Sequence, residues 1–288
     1  MRLGTRGSPL ALVQAGMVRD TLIAGHDIAV EIVVIRTTGD VVQDRPLADI
    51  GGKALWTKEL DRALLGGEID CAVHSMKDVE TIRPAAIAIA AMLPRADVRD
   101  RLIGAPSIAA LREGATVGTS SPRRRAQLLR LRPDLKIVMF RGNVDTRLAK
   151  LAAGDVDATL LAAAGLDRLG RHDVGAAIDL ETMLPAPAQG AVGIEARADD
   201  PQTRALLAVL DHAPTHRCVL AERALLAALQ ADCHSPVAAL ATEAGDIRAE
   251  LFAEDGSASV TGSHSDPTTL AYILLSDAPD TIRRLFVG

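Results

Sequence analysis

The feature that most constrains this chain is an alternation. Short apolar runs bounded by turn residues take turns with longer amphipathic stretches over most of its length. That order specifies βαβ units, and therefore largely parallel sheets covered by helices on both faces. The spacing predicts strands over 2–5, 29–35, 71–74, 87–91, 116–118, 136–140, 158–161 and 192–195. It predicts helices between them over 9–23, 55–65, 122–131, 144–152 and 201–210.

Two internal echoes sharpen this. Gly4-Thr5-Arg6-Gly7-Ser8-Pro9 and Gly118-Thr119-Ser120-Ser121-Pro122 both run from a strand end to a helix start, with Ser at the N-cap and Pro at the first helical position. Gly67-Glu68-Ile69-Asp70-Cys71-Ala72-Val73 and Gly154-Asp155-Val156-Asp157-Ala158-Thr159-Leu160 both read as a helix stop, an acidic turn and a buried strand. Capping residues are common and either echo alone could be chance. Together they point to two lobes on one plan, 1–95 with 190–211 and 96–189. The texture changes near 213, and 212–288 reads as a small C-terminal α+β domain with a helix over 216–230, short strands and a closing helix over 268–275.

Such lobes bring helix N-termini to the carboxyl ends of strands, where backbone N–H groups and the helix dipole favour anions. The expected site is thus an electropositive cleft in a chain whose net charge is −5. Of the 32 basic residues, 27 are Arg, whose planar fork matches carboxylate or phosphate. The acidic balance argues against a nucleic-acid surface. No run approaches the roughly 18 apolar residues that span a bilayer. The N-terminus runs at once into a strand rather than a secretory leader, so the expected setting is the cytoplasm, without a membrane partner. Cys71, Cys218 and Cys233 have neither disulfide-framework nor zinc-ligand spacing, and no metal site is expected.

Four segments carry candidate chemistry. His74-Ser75-Met76-Lys77-Asp78-Val79 emerges at a strand end, and an Asp78 carboxylate beside Lys77 can stay ionised and hold an N–H donor or a cation. A solvated Lys–Asp turn pair explains the same residues as well. Thr119, Ser120, Ser121, Arg123 and Arg124 gather hydroxyls, backbone donors and cations at a helix start, while Arg125 and Arg130 read as solvent-facing. Arg141-Gly142-Asn143 repeats that arrangement before Arg147. Gln189 follows the stiff segment Leu184-Pro185-Ala186-Pro187, which also reads as a crossover hinge. Cys233 falls in a loop after a helix. There an inert thiol is the commoner outcome, although an exposed one is nucleophilic when a neighbour ionises it.

Taken in order, these motifs resemble the porphobilinogen deaminase (hydroxymethylbilane synthase) family. The resemblance rests on 4–11, 51–53, 74–79, 117–124, 141–148, 164–170 and 189–191, and fades beyond 237. It implies two lobes of type II periplasmic-binding-protein-like build around a cleft, with the small C-terminal domain carrying a cofactor cysteine. It also implies a transferase of tetrapyrrole (haem) synthesis that joins four porphobilinogen molecules head to tail with loss of ammonia. Growth starts from a dipyrromethane cofactor bound by a thioether, here to Cys233, and Asp78 is the catalytic carboxylate. Ser75, Lys77, Thr119, Ser120, Ser121, Arg123, Arg124, Arg141, Gly142 and Gln189 are implied to hold cofactor. Arg6, Lys53, Trp56, Arg147 and Arg168 are implied to serve the incoming substrate, and the protein is expected to be a monomer. Three positions depart from the family pattern. Asp232 precedes Cys233 where Gly is usual, Glu80 stands where proline is usual, and Trp56 replaces a commoner Phe.

Other classes stay in view. A non-enzymatic solute-binding module shares the two-lobed cleft but leaves Asp78 and Cys233 unexplained. A nucleic-acid binder calls for stacking aromatics, and aromatics are 2% of this chain. A Schiff-base enzyme using Lys77 lacks an identifiable cofactor cradle.

Overall fold

A computed structural model describes residues 1–37 and 57–286. The chain divides into two compact units, Met1–Ala96 with Gly190–Arg217, and Asp97–Gln189 with Cys218–Gly288.

The first unit is a five-stranded sheet of β1 (Arg2–Arg6), β2 (Glu31–Ile35), β3 (Cys71–Ser75), β4 (Ile87–Met92) and, after the chain returns, β10 (Val192–Arg197), in the order β2-β1-β3-β10-β4. β1 runs parallel to β2 and β3, whereas β10 is antiparallel to both β3 and β4. The first helix, Pro9–His26, begins at Ser8, whose Oγ accepts the Ala11 N–H, with Pro9 at the first position. It buries Gln14, Ala15, Val18 and Leu22 on a core with Leu3, Val73 and Ile194. Each fully buried Leu, Ile or Val side chain there contributes about 1.5–3 kcal/mol. Left-handed Asp27 ends the helix.

The second unit repeats the plan. β5 (Asp100–Ile103), β6 (Thr116–Gly118), β7 (Lys136–Val138), β8 (Ala158–Ala162) and β9 (Ala176–Ala177) lie in the order β7-β6-β8-β5-β9. β6 is parallel to β7 and β8, and β5 is antiparallel to β8. Each sheet is thus a parallel trio followed by a reversed strand. That reversed strand comes just after the chain enters the unit, β5 after Asp97 and β10 after Gly190. The sequence echoes fall on equivalent places, the ends of β1 and β6 and the starts of β3 and β8.

Residues 218–288 belong to this second unit. They form an antiparallel sheet, β11 (Val237–Ala241), β12 (Ile247–Phe252) and β13 (Ser259–His264), backed by the helix Pro267–Asp277. Fully buried Phe252 packs with Ala126 and Leu184, and the Ala239 N–H donates to the Pro185 carbonyl at 3.1 Å. An Arg130–Glu250 ion pair adds to this join, so Arg130 is a packing residue rather than the solvent-facing one expected. Among the described residues no helix is long and apolar enough to cross a membrane, and no cluster of acidic, His and Cys side chains suits a metal ion.

Candidate active site

Pairing β1 with β3 in parallel puts Arg6 and Ser75 at one sheet edge. The chain leaves β3 through a single 3-10 turn, Met76–Asp78. A concavity in the first unit is lined there by Arg6, Ser8, Gln14, His74, Ser75 and Asp78. Ser8 begins the helix Pro9–His26, so the positive end of that helix faces the same space. The arrangement offers a partly exposed carboxylate, a guanidinium and a hydroxyl to one small ligand. Lys77 is half-buried on the same turn.

Local packing fixes the turn. Met76 is 1% exposed and its N–H donates to the Ala191 carbonyl at 3.1 Å. A Cβ on Gly193 would sit 2.1 Å from Met76 Sδ, so the glycine leaves room for this anchor. Gln14, 2% exposed, donates from Nε2 to Ser75 Oγ at 2.8 Å. Sequence reasoning missed Gln14. Its signal was a lone amide within an otherwise apolar helical stripe.

Behind this edge lies an ionic cluster. Arg83 donates to both oxygens of buried Glu195 at 2.8 Å each, to Asp61 at 2.5 Å and to Glu80 at 2.7 Å. His74 Nε2 is 3.1 Å from Glu195 Oε2. Burial pushes the Glu195 carboxyl up, but His74 and Arg83 reverse this and hold it at about 2. The Arg83 guanidinium, gripping both oxygens, sustains the ionised form in a dry site. Glu80, which stands where proline is usual, has its carboxylate tied to Arg83 and Thr57.

In the second unit Thr119, Ser120 and Ser121 lead from β6 into the helix Pro122–Leu131. Ser121 accepts the Arg124 N–H. Arg123 and Arg124 do not project as open forks. Both are buried and turned onto Asp100, at 2.8 Å each. Gln189 donates to the same carboxylate at 2.9 Å and to the Val98 carbonyl at 2.7 Å. Burial pushes the Asp100 carboxyl up and the two guanidinium charges more than reverse it, holding it well below the usual range. Two cations share one anion, so the group carries a surplus positive charge beside a helix start. Arg123 Nε is buried without a hydrogen-bond partner among the described residues. An orphan donor, surplus charge and three hydroxyls fit a polycarboxylate such as dipyrromethane.

Asn143 caps the helix Val144–Ala152, Gly142 has φ +126°, and Arg147 Nε donates to the Gly142 carbonyl at 2.9 Å. Arg141 and Arg168 are half-buried, and burial lowers the Arg168 guanidinium from its ordinary value. Cys71 and Cys218 are buried and Cys233 is exposed. Burial pushes the Cys71 thiol up to about 12. Asp232 next to Cys233 accepts the His234 N–H at 2.8 Å. Lys53 and Trp56 lie outside the described residues.

The sequence profile described as porphobilinogen deaminase, dipyromethane cofactor binding domain, matches residues 1–205, and that of the porphobilinogen deaminase C-terminal domain matches 216–271. The chain belongs to the porphobilinogen deaminase family. The family match thus extends past 237, where the motif resemblance faded. Porphobilinogen deaminase of Sphingopyxis alaskensis is 59% identical, over 99% of this chain and 96% of that one. That of Paracoccus denitrificans is 50% identical, over 98% and 93%. The chloroplastic protein of Oryza sativa subsp. japonica is 50% identical, over 93% and 78%. Among solved structures, a nutrient binding protein from Burkholderia cenocepacia bound to methionine aligns at 17% identity over 72% of this chain and 89% of that one, with a TM-score of 0.45.

Proposed function

We propose that this chain joins four porphobilinogen molecules head to tail, releasing ammonia at each joining, and that one water then cleaves the four-pyrrole chain from the cofactor as linear hydroxymethylbilane for tetrapyrrole synthesis. The observation that carries the reading is Asp78, set on a short turn in a concavity beside Arg6 and Ser75, in a chain of this family.

Asp78 accepts the pyrrole N–H of the incoming substrate and stabilises the positive charge that spreads over its ring as the C–N bond breaks. A fixed carboxylate in a partly desolvated site is suited to a developing cation. Arg6 and Ser75 bind the substrate's side-chain carboxylates, with Lys53, Trp56, Arg147 and Arg168 assigned to the same task. When bound, the dipyrromethane cofactor supplies the terminal pyrrole carbon to which the first substrate is joined. Thr119, Ser120, Ser121, Arg123, Arg124, Arg141, Gly142, Gln189, Ser75 and Lys77 hold its carboxylates, and Cys233 carries it through a thioether. The exposure of Cys233 beside the burial of Cys71 and Cys218 supports that choice. A cytoplasmic monomer is our reading of compartment and assembly, in keeping with an acidic chain whose three cysteines lack disulfide-framework spacing.

Intact-mass analysis tests this. Protein from a host that makes porphobilinogen should carry an adduct of two pyrrole units that Cys233→Ser loses. Asp78→Ala should keep the adduct and lose turnover. An unmodified wild-type mass, or normal turnover in Asp78→Ala, would overturn the corresponding assignment.

A further inference from the structure

The turn that carries Asp78 is weakly held by its own backbone. It is one 3-10 turn, closed by a Val79 N–H to Met76 carbonyl contact of 3.3 Å, and 3-10 geometry makes poorer hydrogen bonds than an α-helix. Its leading end is fixed by β3 and by Met76. Its trailing end runs into residues 79–86, which have neither strand nor helix structure before β4 begins at Ile87. A carboxylate on such a segment needs another restraint to act from one place.

Among the described residues, one side chain supplies a restraint at both sides of the turn. Arg83 Nη1 donates to Glu80 Oε2 at 2.7 Å, two residues past Asp78. The same Glu80 oxygen accepts from Thr57 Oγ1 at 2.6 Å, so the trailing end is tied to the start of the helix Lys58–Leu65 as well. Through Nε and Nη2, Arg83 grips both oxygens of Glu195, whose Oε2 meets His74 Nε2 at 3.1 Å, one residue before Ser75. One guanidinium therefore reaches both sides of the turn, directly at Glu80 and through Glu195 at His74. Its side chain is only 8% exposed, so water screens these bonds little.

We propose that Arg83 is a positioning residue for Asp78, clamping both ends of the turn that bears the carboxylate. It touches neither substrate nor cofactor. It acts by keeping Asp78 within the narrow range of positions from which it stabilises the developing charge. Displacing a reacting group by about 1 Å can cost about 100-fold in rate, so a partial loosening should be visible in kcat. The inference rests on the reading of Asp78 as the catalytic carboxylate.

The test uses the holoenzyme and the pair Glu80→Ala and Glu80→Pro. The alanine removes the trailing anchor, and kcat should fall about fivefold to tenfold with KM within about twofold. Hydrogen exchange of the amides of residues 76–79 should quicken by about tenfold in the same variant. Proline restores a restraint of another kind, because its ring fixes φ. Val79, at φ −90° and ψ 132°, already has the extended conformation required before proline. Glu80→Pro should therefore stay nearer to wild type than Glu80→Ala in both kcat and exchange. A generic loss of surface charge would affect the two variants alike. Arg83→Met removes both anchors and should lose more kcat than Glu80→Ala; should it not fold, the Glu80 pair decides alone.

Wild-type kcat and exchange in Glu80→Ala would overturn the proposal, as would a fall in Glu80→Pro equal to that in Glu80→Ala. Asp78→Ala run alongside separates the two levels. If it retains turnover, the reading of Asp78 fails. If it is inactive while Glu80→Ala matches wild type, only the clamp fails.

Discussion

Asp100 Oδ1 accepts a hydrogen bond from Arg124 Nη2 at 2.8 Å, and neither residue is more than 6% exposed. Arg123 reaches the other carboxylate oxygen at the same distance. Removing the acid leaves two guanidinium groups buried side by side, and breaking a buried pair from one side costs about 3–5 kcal/mol. Asp100→Asn should lose about that much stability at pH 7. The folded chain holds this carboxyl below its ordinary value. Its contribution is therefore complete above the unfolded value of about 4 and is lost as pH falls towards the folded one. Urea unfolding at pH 7 and pH 3 should show the gap between wild type and Asp100→Asn narrowing in acid. A gap of equal size at both would contradict the account.

Gln14 and Ser75 make a second, smaller unit. Gln14 Nε2 donates to Ser75 Oγ and the hydroxyl faces Gln14 Oε1 at 3.1 Å, across from the first helix to the end of β3. Gln14→Ala should cost about 0.5–1.5 kcal/mol, because half-buried Ser75 loses its hydrogen-bond partner but keeps access to water. Ser75→Ala should cost less once Gln14 is already absent. A double-mutant cycle by chemical denaturation checks this, and strict additivity would show that the two side chains do not act together.

The fold was largely legible because periodicity reports burial. Strands such as Cys71–Ser75 and Ala158–Ala162 are apolar runs buried at nearly every position, and the Gly-Thr/Ser-Pro echo marks equivalent strand-to-helix turns. β5 was missed for a physical reason. It begins Asp100-Arg101, which reads as surface, yet Asp100 is the hub that Arg123, Arg124 and Gln189 share. The same blind spot hid Glu195, a buried charge within an apolar strand, and Arg83, which sequence alone cannot distinguish from a solvated arginine. Asp78 and Ser75 were legible as candidates because they stand at a strand end. The partners that fix them come from distant segments, and no local pattern announces such pairings.

Gly193 predicts a steric effect near the proposed chemistry. Its missing Cβ is where Met76 lies, with Met76 Sδ 2.1 Å and Cγ 2.8 Å from the position a methyl group would take. Gly193→Ala must push Met76 aside, and overpacking of this kind costs about 1–3 kcal/mol. Because Met76 opens the turn that carries Asp78, kcat should fall as well. Thermal unfolding together with steady-state kinetics checks both halves. A variant with wild-type Tm and kcat would mean that the thioether of Met76 relocates without moving the turn.

The three cysteines should differ sharply in reactivity. Cys71 is buried with its thiol pushed up to about 12, so at pH 8 only about one molecule in ten thousand carries the thiolate there. Cys218 is buried as well, on the helix Ala213–Ala228, whereas Cys233 is exposed in the loop that follows. Folded protein made in a host unable to form porphobilinogen should therefore be alkylated by iodoacetamide at Cys233 alone, as read by peptide mapping. Protein from a host that makes porphobilinogen should resist alkylation at Cys233, because a thioether has no thiolate to offer. In denaturant the cofactor-free chain should label at all three positions. Labelling of Cys71 in the folded chain would show that the first sheet opens on the timescale of the reagent. Equal labelling of Cys233 from both hosts would remove it as the attachment point.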